Sequence, residues 1–259
     1  MTNPQTATTS QTAQSLLRQN FYGFVRRTFN HINHGQPLGR PRYLEAMCFA
    51  LQSTHEQEGG RLVVTVPPRH LKSIAAAVAL PAWAIGHDPG LQVLVATYGE
   101  ELARQHAGHF ADVIRSDWYR ALFPGVKIKS STRSELLTSQ GGGRRSITLG
   151  GATTGFGADL IIVDDLMKAQ DASSDTVRDK VRRYFFEALT TRCNQPEKTS
   201  IISIQQRLHE DDLPAHLIAN QRYEHLNLPA IADEPQRLPL YFGRTWQRKP
   251  RELLEPERI

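Results

Sequence analysis

Two short stretches of this chain carry residue types that could manage a phosphoryl group. In the first, the β-branched run Val63-Val64-Thr65-Val66 passes through Pro67-Pro68-Arg69-His70-Leu71 to Lys72-Ser73, and Ile74-Ala75-Ala76-Ala77 then starts a helix. Strand, tight loop, Lys-Ser and helix is the order of a phosphate-binding loop, where backbone N–H groups and the helix dipole favour an anion. Pro67 and Pro68 have no N–H to offer, so the cradle would be the amides of Arg69, His70, Leu71, Lys72 and Ser73. Lys72 would place a positive charge on the β/γ-phosphates, Ser73 a hydroxyl on Mg2+, and Arg69 a further charged hydrogen bond. Val66 and Leu71 stand where G-x-x-x-x-G-K-[ST] has its two glycines. Leu71 must therefore keep an ordinary backbone or, in a left-handed turn, carry strain of about 1–2 kcal/mol. Lys-Ser after a strand also arises by chance, so the loop needs a second element.

That element is Ala158-Asp159-Leu160-Ile161-Ile162-Val163-Asp164-Asp165. A near-continuous apolar run fits a strand buried on both faces of a parallel sheet, and open α/β sheets bind ligands at the C-terminal ends of their strands. One carboxylate there could hold Mg2+ and the next could polarise an attacking water. The bland alternative is a pair of aspartates starting a loop.

The surrounding elements follow from periodicity. Helical spacing marks residues 16–28 and 43–53, a strand covers 61–66, and a second strand at 91–97 precedes a helix from Glu100 with Leu102, His106, Phe110, Val113 and Ile114 on its buried side. Strand-helix units with short connections imply right-handed crossovers and a mostly parallel α/β sheet flanked by helices. Polar segments at 126–129, 135–138 and 146–149 suggest a small antiparallel edge element. Between them, Gly141-Gly142-Gly143-Arg144-Arg145 reads as a flexible basic loop whose Arg144 and Arg145 could touch a DNA backbone. Ser173-Ser174-Asp175 caps an amphipathic helix, and residues 199–204 form a further buried strand ahead of Gln205-Gln206-Arg207.

With these motifs in order, the sequence resembles the N-terminal ATPase domain of the large terminase subunit of tailed bacteriophages. Pro67-Pro68-Arg69-His70-x-Lys72-Ser73 resembles its deviant Walker A. Thr154-Gly155-x-Gly157-Ala158-Asp159-x-Ile161-Ile162-Val163-Asp164-Asp165 resembles its Walker B region, and residues 206–213 resemble the segment after the coupling strand. The resemblance implies a P-loop NTPase architecture of the ASCE type and an ATP- and Mg2+-dependent motor that packages double-stranded DNA. As partners it implies the portal protein, the small terminase subunit and a homo-oligomeric ring, in the bacterial host cytoplasm. Carried over by position, Arg69, His70, Leu71, Lys72 and Ser73 bind nucleotide, and Ser73 and Asp164 hold the metal. Asp165 activates water with Lys72, and Gln206, beside Gln205, senses the γ-phosphate. Leu71 departs from the family's glycine, and Asp165 stands where many relatives carry Glu.

Three segments are expected: a disordered lead at 1–15, the ATPase domain at 16–228, and a Pro-rich linker at 229–259 leading towards an absent nuclease domain, so no DNA cleavage is expected of this chain alone. The net charge of +5 over 259 residues is compatible with a nucleic-acid partner, and Cys48 and Cys193 lack metal-ligand spacing. No apolar run is long enough to span a bilayer. A dinucleotide enzyme fails on order, because Gly155-x-Gly157 precedes a strand where such glycines follow one. A zinc hydrolase at His209-Glu210 lacks the second His of H-E-x-x-H. The rival readings are a truncated prophage remnant that binds DNA or partners with little ATPase activity, and another P-loop translocase or helicase.

Overall fold

The computed structural model describes residues 4–151 and 155–256, and the side chains of residues 12–151 and 155–256. An eight-stranded sheet runs in the order β3-β4-β5-β2-β6-β7-β1-β8. Its strands are β1 (Arg61–Thr65), β2 (Gln92–Thr97), β3 (Ile128–Ser131), β4 (Glu135–Thr138), β5 (Gly143–Thr148), β6 (Leu160–Asp164), β7 (Ser200–Gln205) and β8 (Glu224–Asn227). From β5 to β8 every neighbouring pair is parallel; β3 and β4 add an antiparallel edge.

The strands sort their side chains by parity, as a pleat buried on both faces requires. Leu62, Val64, Val93, Val95, Leu160, Ile162, Ile202 and Ile204 face the larger of two cores, while Val63, Leu94, Ala96, Ile161, Val163 and Ile201 face the other. Helices α2 (Phe21–Ile32), α3 (Arg42–Glu56), α4 (Leu80–His87) and α5 (Glu100–Arg115) cover the larger core. On the opposite face lie α7 (Asp175–Arg183) and α8 (Leu213–Ala219). Two further helices, α1 (Pro4–Gln19) and α6 (Asp117–Leu122), flank the larger core. This is the mostly parallel, helix-flanked α/β architecture expected, with β7 inserted between the strand that leads to Lys72 and the strand that ends at Asp164.

Three expectations are corrected. The lead is helical from Pro4 as part of α1, whose last turn, beyond the lead, docks on the domain: Arg18 Nε donates to Leu122 O at 2.8 Å and Trp83 Nε1 to Leu17 O at 3.3 Å. The segment at 146–149 is not an edge strand: residues 146–148 belong to β5, which pairs in parallel with β2. The Pro-rich tail is not a linker: β9 (Gln236–Pro239) and β10 (Thr245–Arg248) form an antiparallel ribbon, and Leu238, Leu240, Tyr241, Trp246 and Leu254 are buried in the larger core. Tyr241 OH donates to Gln52 on α3 at 2.8 Å, and its ring meets Phe49 edge-on. Single apolar residues between prolines, with no periodicity, hid this packing from sequence inspection.

A linker tolerates truncation of its side chains, whereas a buried ribbon does not. Trp246→Ala, at a position only 4 % exposed, is expected to cost about 3–5 kcal/mol and to lower the thermal unfolding midpoint by several degrees. An unchanged midpoint would return the tail to linker status.

Candidate functional site

Parallel strands deliver their C-terminal ends to one edge of the sheet, so β1, β6 and β7 bring three loops together there. Thr65 leads into the loop 66–71, Asp164 into Asp165, and Gln205 into Gln206. Val66 N donates to Gln205 O at 3.2 Å, which ties the start of the phosphate-binding loop to the end of β7.

The loop turns without glycine. Arg69 and Leu71 both take positive φ, at 63° and 58°, so each bears the left-handed penalty of about 1–2 kcal/mol. Leu71 in the left-handed region followed by helical Lys72 and Ser73 is the backbone alternation that turns successive N–H groups inward as an anion nest. Among the described residues, the N–H groups of residues 69–73 make no hydrogen bond of good geometry to protein, beyond a loose turn at 68–69, while Leu71 O closes the first helical turn with Ala75 N at 2.9 Å. The helix then widens into a π-helical segment, Ile74–Ala79, before α4.

Lys72 and Asp165 meet: Nζ lies 2.8 Å from Oδ2. Asp165 is held from three sides. Its φ is 44°, its carbonyl accepts Tyr98 N from the end of β2 at 2.9 Å, and its Oδ1 accepts Gln206 N from the end of β7 at 3.1 Å. A non-glycine residue in this conformation costs stability and persists only where its surroundings over-determine it. The carboxylate is therefore fixed towards the loop, with the lysine as its partner.

Asp164, beside it, is fully buried, and neither carboxylate oxygen has a hydrogen bond of good geometry. Burial, reinforced by the Asp165 charge, pushes its pKa up to about 7 against the pull of the Ser73 hydroxyl, Lys72 and Arg144. An orphaned buried carboxylate is rare. Next to a serine hydroxyl and a loop of free amides, it fits a hard divalent cation that takes one carboxylate and completes its shell with phosphate and water. Mg2+ is such a cation.

Behind Asp164 the sheet holds two groups that sequence reasoning did not place there. His106 of α5 has Nδ1 at 3.6 Å from Asp164 Oδ2. Burial first, then the Arg144 charge, pushes its pKa down to about 3, so the imidazole is neutral. The periodicity of α5 marked His106 as inward-facing, but not what it would face. Arg144 is 1 % exposed and lies over the Phe110 ring at 5.3 Å; its Nε donates to Ala77 O at 3.2 Å and its Nη1 to Ser146 Oγ at 2.7 Å.

The expectation that Arg144 and Arg145 form a basic DNA-contacting loop is thus corrected. Both belong to β5, Arg144 points into the core, and Arg145 is taken by Glu135 and the Phe156 ring. Two of the glycines before them, Gly142 and Gly143, serve close packing: a Cβ on Gly142 would stand 2.4 Å from the carbonyl carbon of Gly90 in the neighbouring turn. His70 turns away from the cradle, its Nδ1 2.9 Å from Pro68 O and its ring edge-on to Tyr43; only its backbone N–H remains available. The side chain of Gln205 folds back to Ser203 Oγ at 2.7 Å, so Gln206 is the glutamine at the strand end. The acidic cluster after it is structural, since Asp212 caps α8 through Ala215 N while Asp211 binds Arg178, Arg182 and His216. Thr154, named with the second motif, lies outside the described residues.

No protein-family profile and no curated protein matches this sequence. Among solved structures, the fold is similar to the HK97 bacteriophage large terminase, with TM-score 0.54 and 16 % identity over 82 % of this chain and 44 % of that one. The large terminase of a thermophilic bacteriophage, solved in complex with ADP, is a more distant match, at TM-score 0.44 and 11 % identity over 71 % of this chain and 44 % of that one. This chain spans less than half the length of either.

The buried Asp164 sets a pH dependence. Unfolded, an aspartate ionises near its reference value of about 4; folded, Asp164 does so at about 7. Between those values the folded state holds a proton that the unfolded state has lost, so this group's contribution to stability falls as pH rises and the penalty is complete above 7. Asp164→Asn is expected to stabilise the metal-free protein by roughly 1–3 kcal/mol at pH 8, with much less effect at pH 4, as read by urea unfolding. A variant destabilised at pH 8 would contradict an orphaned carboxylate.

Proposed function

We propose that this chain is an ATP-hydrolysing motor domain that drives packaging of double-stranded phage DNA. One observation carries the reading: Lys72 and Asp165 meet at 2.8 Å beside the orphaned Asp164, after β1 and β6 and with the end of β7 between them. The shared fold with the HK97 large terminase supports it at the level of architecture.

In this reading the triphosphate enters the nest of N–H groups at residues 69–73 and competes with Asp165 for Lys72. Transfer of Lys72 to the β/γ-phosphates leaves Asp165 Oδ2 without its cation, on a carboxylate still oriented by Gln206 N and a backbone still held by Tyr98 N. It then accepts the proton of a water attacking the γ-phosphate. The pair thus keeps the base occupied until substrate arrives. Gln206 reports the γ-phosphate through its backbone bond to Asp165 and passes the change to β7. Asp164 and Ser73 would hold Mg2+, which when bound neutralises phosphate charge. Leu71, which already adopts the left-handed backbone that a glycine would supply, favours a working loop over a degenerate one.

With Arg144 buried and Arg145 engaged by Glu135 and the Phe156 ring, contact with DNA falls to other side chains. Arg104 and Arg115 of α5 and Arg133 of the β3–β4 turn are exposed around an open groove of about 320 Å³, with Ser131 and Thr132 on its wall and Asp112 on its rim. Guanidinium and hydroxyl donors suit a phosphate backbone. The reading further implies a ring of copies working with the portal protein and small terminase subunit in the bacterial host cytoplasm. Among the described residues no helix is long and apolar enough to cross a membrane.

Purified protein is expected to hydrolyse ATP only with Mg2+. Lys72→Ala is expected to remove turnover, and Asp165→Asn to retain nucleotide while losing about 10²–10⁴ in rate. Double-stranded DNA should stimulate turnover in low salt, an effect that Arg104→Gln with Arg133→Gln removes and that fades between about 50 and 200 mM salt. A well-folded sample without hydrolysis, with and without DNA and portal, would favour the remnant. Hydrolysis unaffected by Lys72→Ala would overturn the site assignment.

A further inference from the structure

The nucleotide reading uses Asp164 but leaves three orphaned polar atoms behind the site: Asp164 Oδ2, His106 Nδ1 and Arg144 Nη2, all buried with no hydrogen bond of good geometry. Native interiors rarely leave such groups unpaired, and several together mark an arrangement completed by something else. The first two face each other at 3.6 Å, beyond hydrogen-bond range by about half an ångström. A small side-chain rotation closes that gap.

We propose that His106 is a positioning residue for Asp164, donating its Nδ1–H to Oδ2 once the carboxylate binds a divalent cation together with nucleotide phosphate. The inference rests on the nucleotide-binding reading above and extends it to a residue outside the loop motifs.

A carboxylate offers about four lone-pair directions. Ser73 reaches Asp164 from the start of the phosphate-loop helix and His106 reaches Oδ2 from α5, so an imidazole bond to one lone pair of Oδ2 leaves the remaining directions to a cation. Carboxylate ligands that accept such an outer bond are held in one orientation, and losing the outer partner typically weakens metal binding 10- to 100-fold. An imidazole suits this task, because its ring N–H is a directional donor that reaches the carboxylate from α5. Arg144 backs the arrangement: its guanidinium is anchored to Ala77 O in the π-helical segment that begins one residue after Ser73, and to Ser146 on β5. The metal-ligand strand, the phosphate-loop helix and α5 therefore meet at one buried polar cluster. A plain core position would be filled by an apolar residue, as Ala103, Ala107 and Phe110 fill the neighbouring positions of α5.

The test compares His106→Gln, which keeps an N–H donor, with His106→Met, which keeps the volume but not the donor. Binding of Mn2+ in the presence of ADP, read by electron paramagnetic resonance, is expected to weaken about 10- to 100-fold in His106→Met and to recover in large part in His106→Gln. ADP binding without metal should be unchanged in both. In the unsubstituted protein, adding Mg2+ and ADP should bring out a new downfield imidazole N–H proton resonance, a readout that survives even if His106→Met does not fold. Equal Mn2+ affinity in His106→Met and the unsubstituted protein, or no new resonance while Mg2+ and ADP are bound, overturns the role of His106. Failure of the unsubstituted protein to bind Mn2+ with ADP overturns instead the nucleotide-site reading beneath it.

Discussion

Lys72 and Asp165 are 2.8 Å apart although 93 positions separate them in the chain, and the geometry of the site depends on that ion pair. Each partner sits at or next to a backbone conformation that costs energy. Leu71, just before the lysine, and Asp165 itself have positive φ, and neither is glycine. The sheet supplies the over-determination this requires: β7 lies between β1 and β6, so its end can bond both to Val66 of the loop and to the Asp165 carboxylate. Were the two strands adjacent, neither contact could be made from between them.

The buried charges behind the pair tell a related story. Asp164 and Arg144 are both inside, yet they are not a bonded pair; Arg144 spends its donors on Ala77 O and Ser146 and keeps one nitrogen free. Burying unpaired charge is expensive, and a domain shaped for stability alone would replace the cluster with apolar side chains. A site that must accept a divalent cation and phosphate gains from leaving the carboxylate uncommitted until they arrive. The π-helical widening immediately after Ser73 belongs to the same region, and such irregularities concentrate at functional sites.

How much of this was legible follows physical lines. The near-continuous apolar run within 158–165 revealed a doubly buried strand, the β-branched run at 61–66 a second strand, and the order of Lys72-Ser73 and Asp164-Asp165 revealed which strand ends would converge. The left-handed turn at Leu71 could be posed as an alternative but not decided, because the choice depends on β7 and the first helical turn together. Arg144 misled because a basic pair after three glycines looks solvated; what decides is the β5–β2 pairing, a contact between residues about 50 positions apart. The tail misled because prolines break periodicity without preventing isolated residues such as Trp246 from docking. His106 was legible as buried, and only the folded sheet shows it against Asp164.

Catalysis in this site turns on Lys72 exchanging Asp165 for phosphate on a loop already in its binding shape. The most direct measurement is a crystal structure with Mg2+, ADP and beryllium fluoride. Lys72 Nζ is expected on the phosphate mimic and out of hydrogen-bond range of Asp165, with Arg69 and Leu71 still at positive φ and Asp164 turned to the cation. A nucleotide bound with the Lys72–Asp165 pair intact, or a loop that refolds to receive it, would contradict the account.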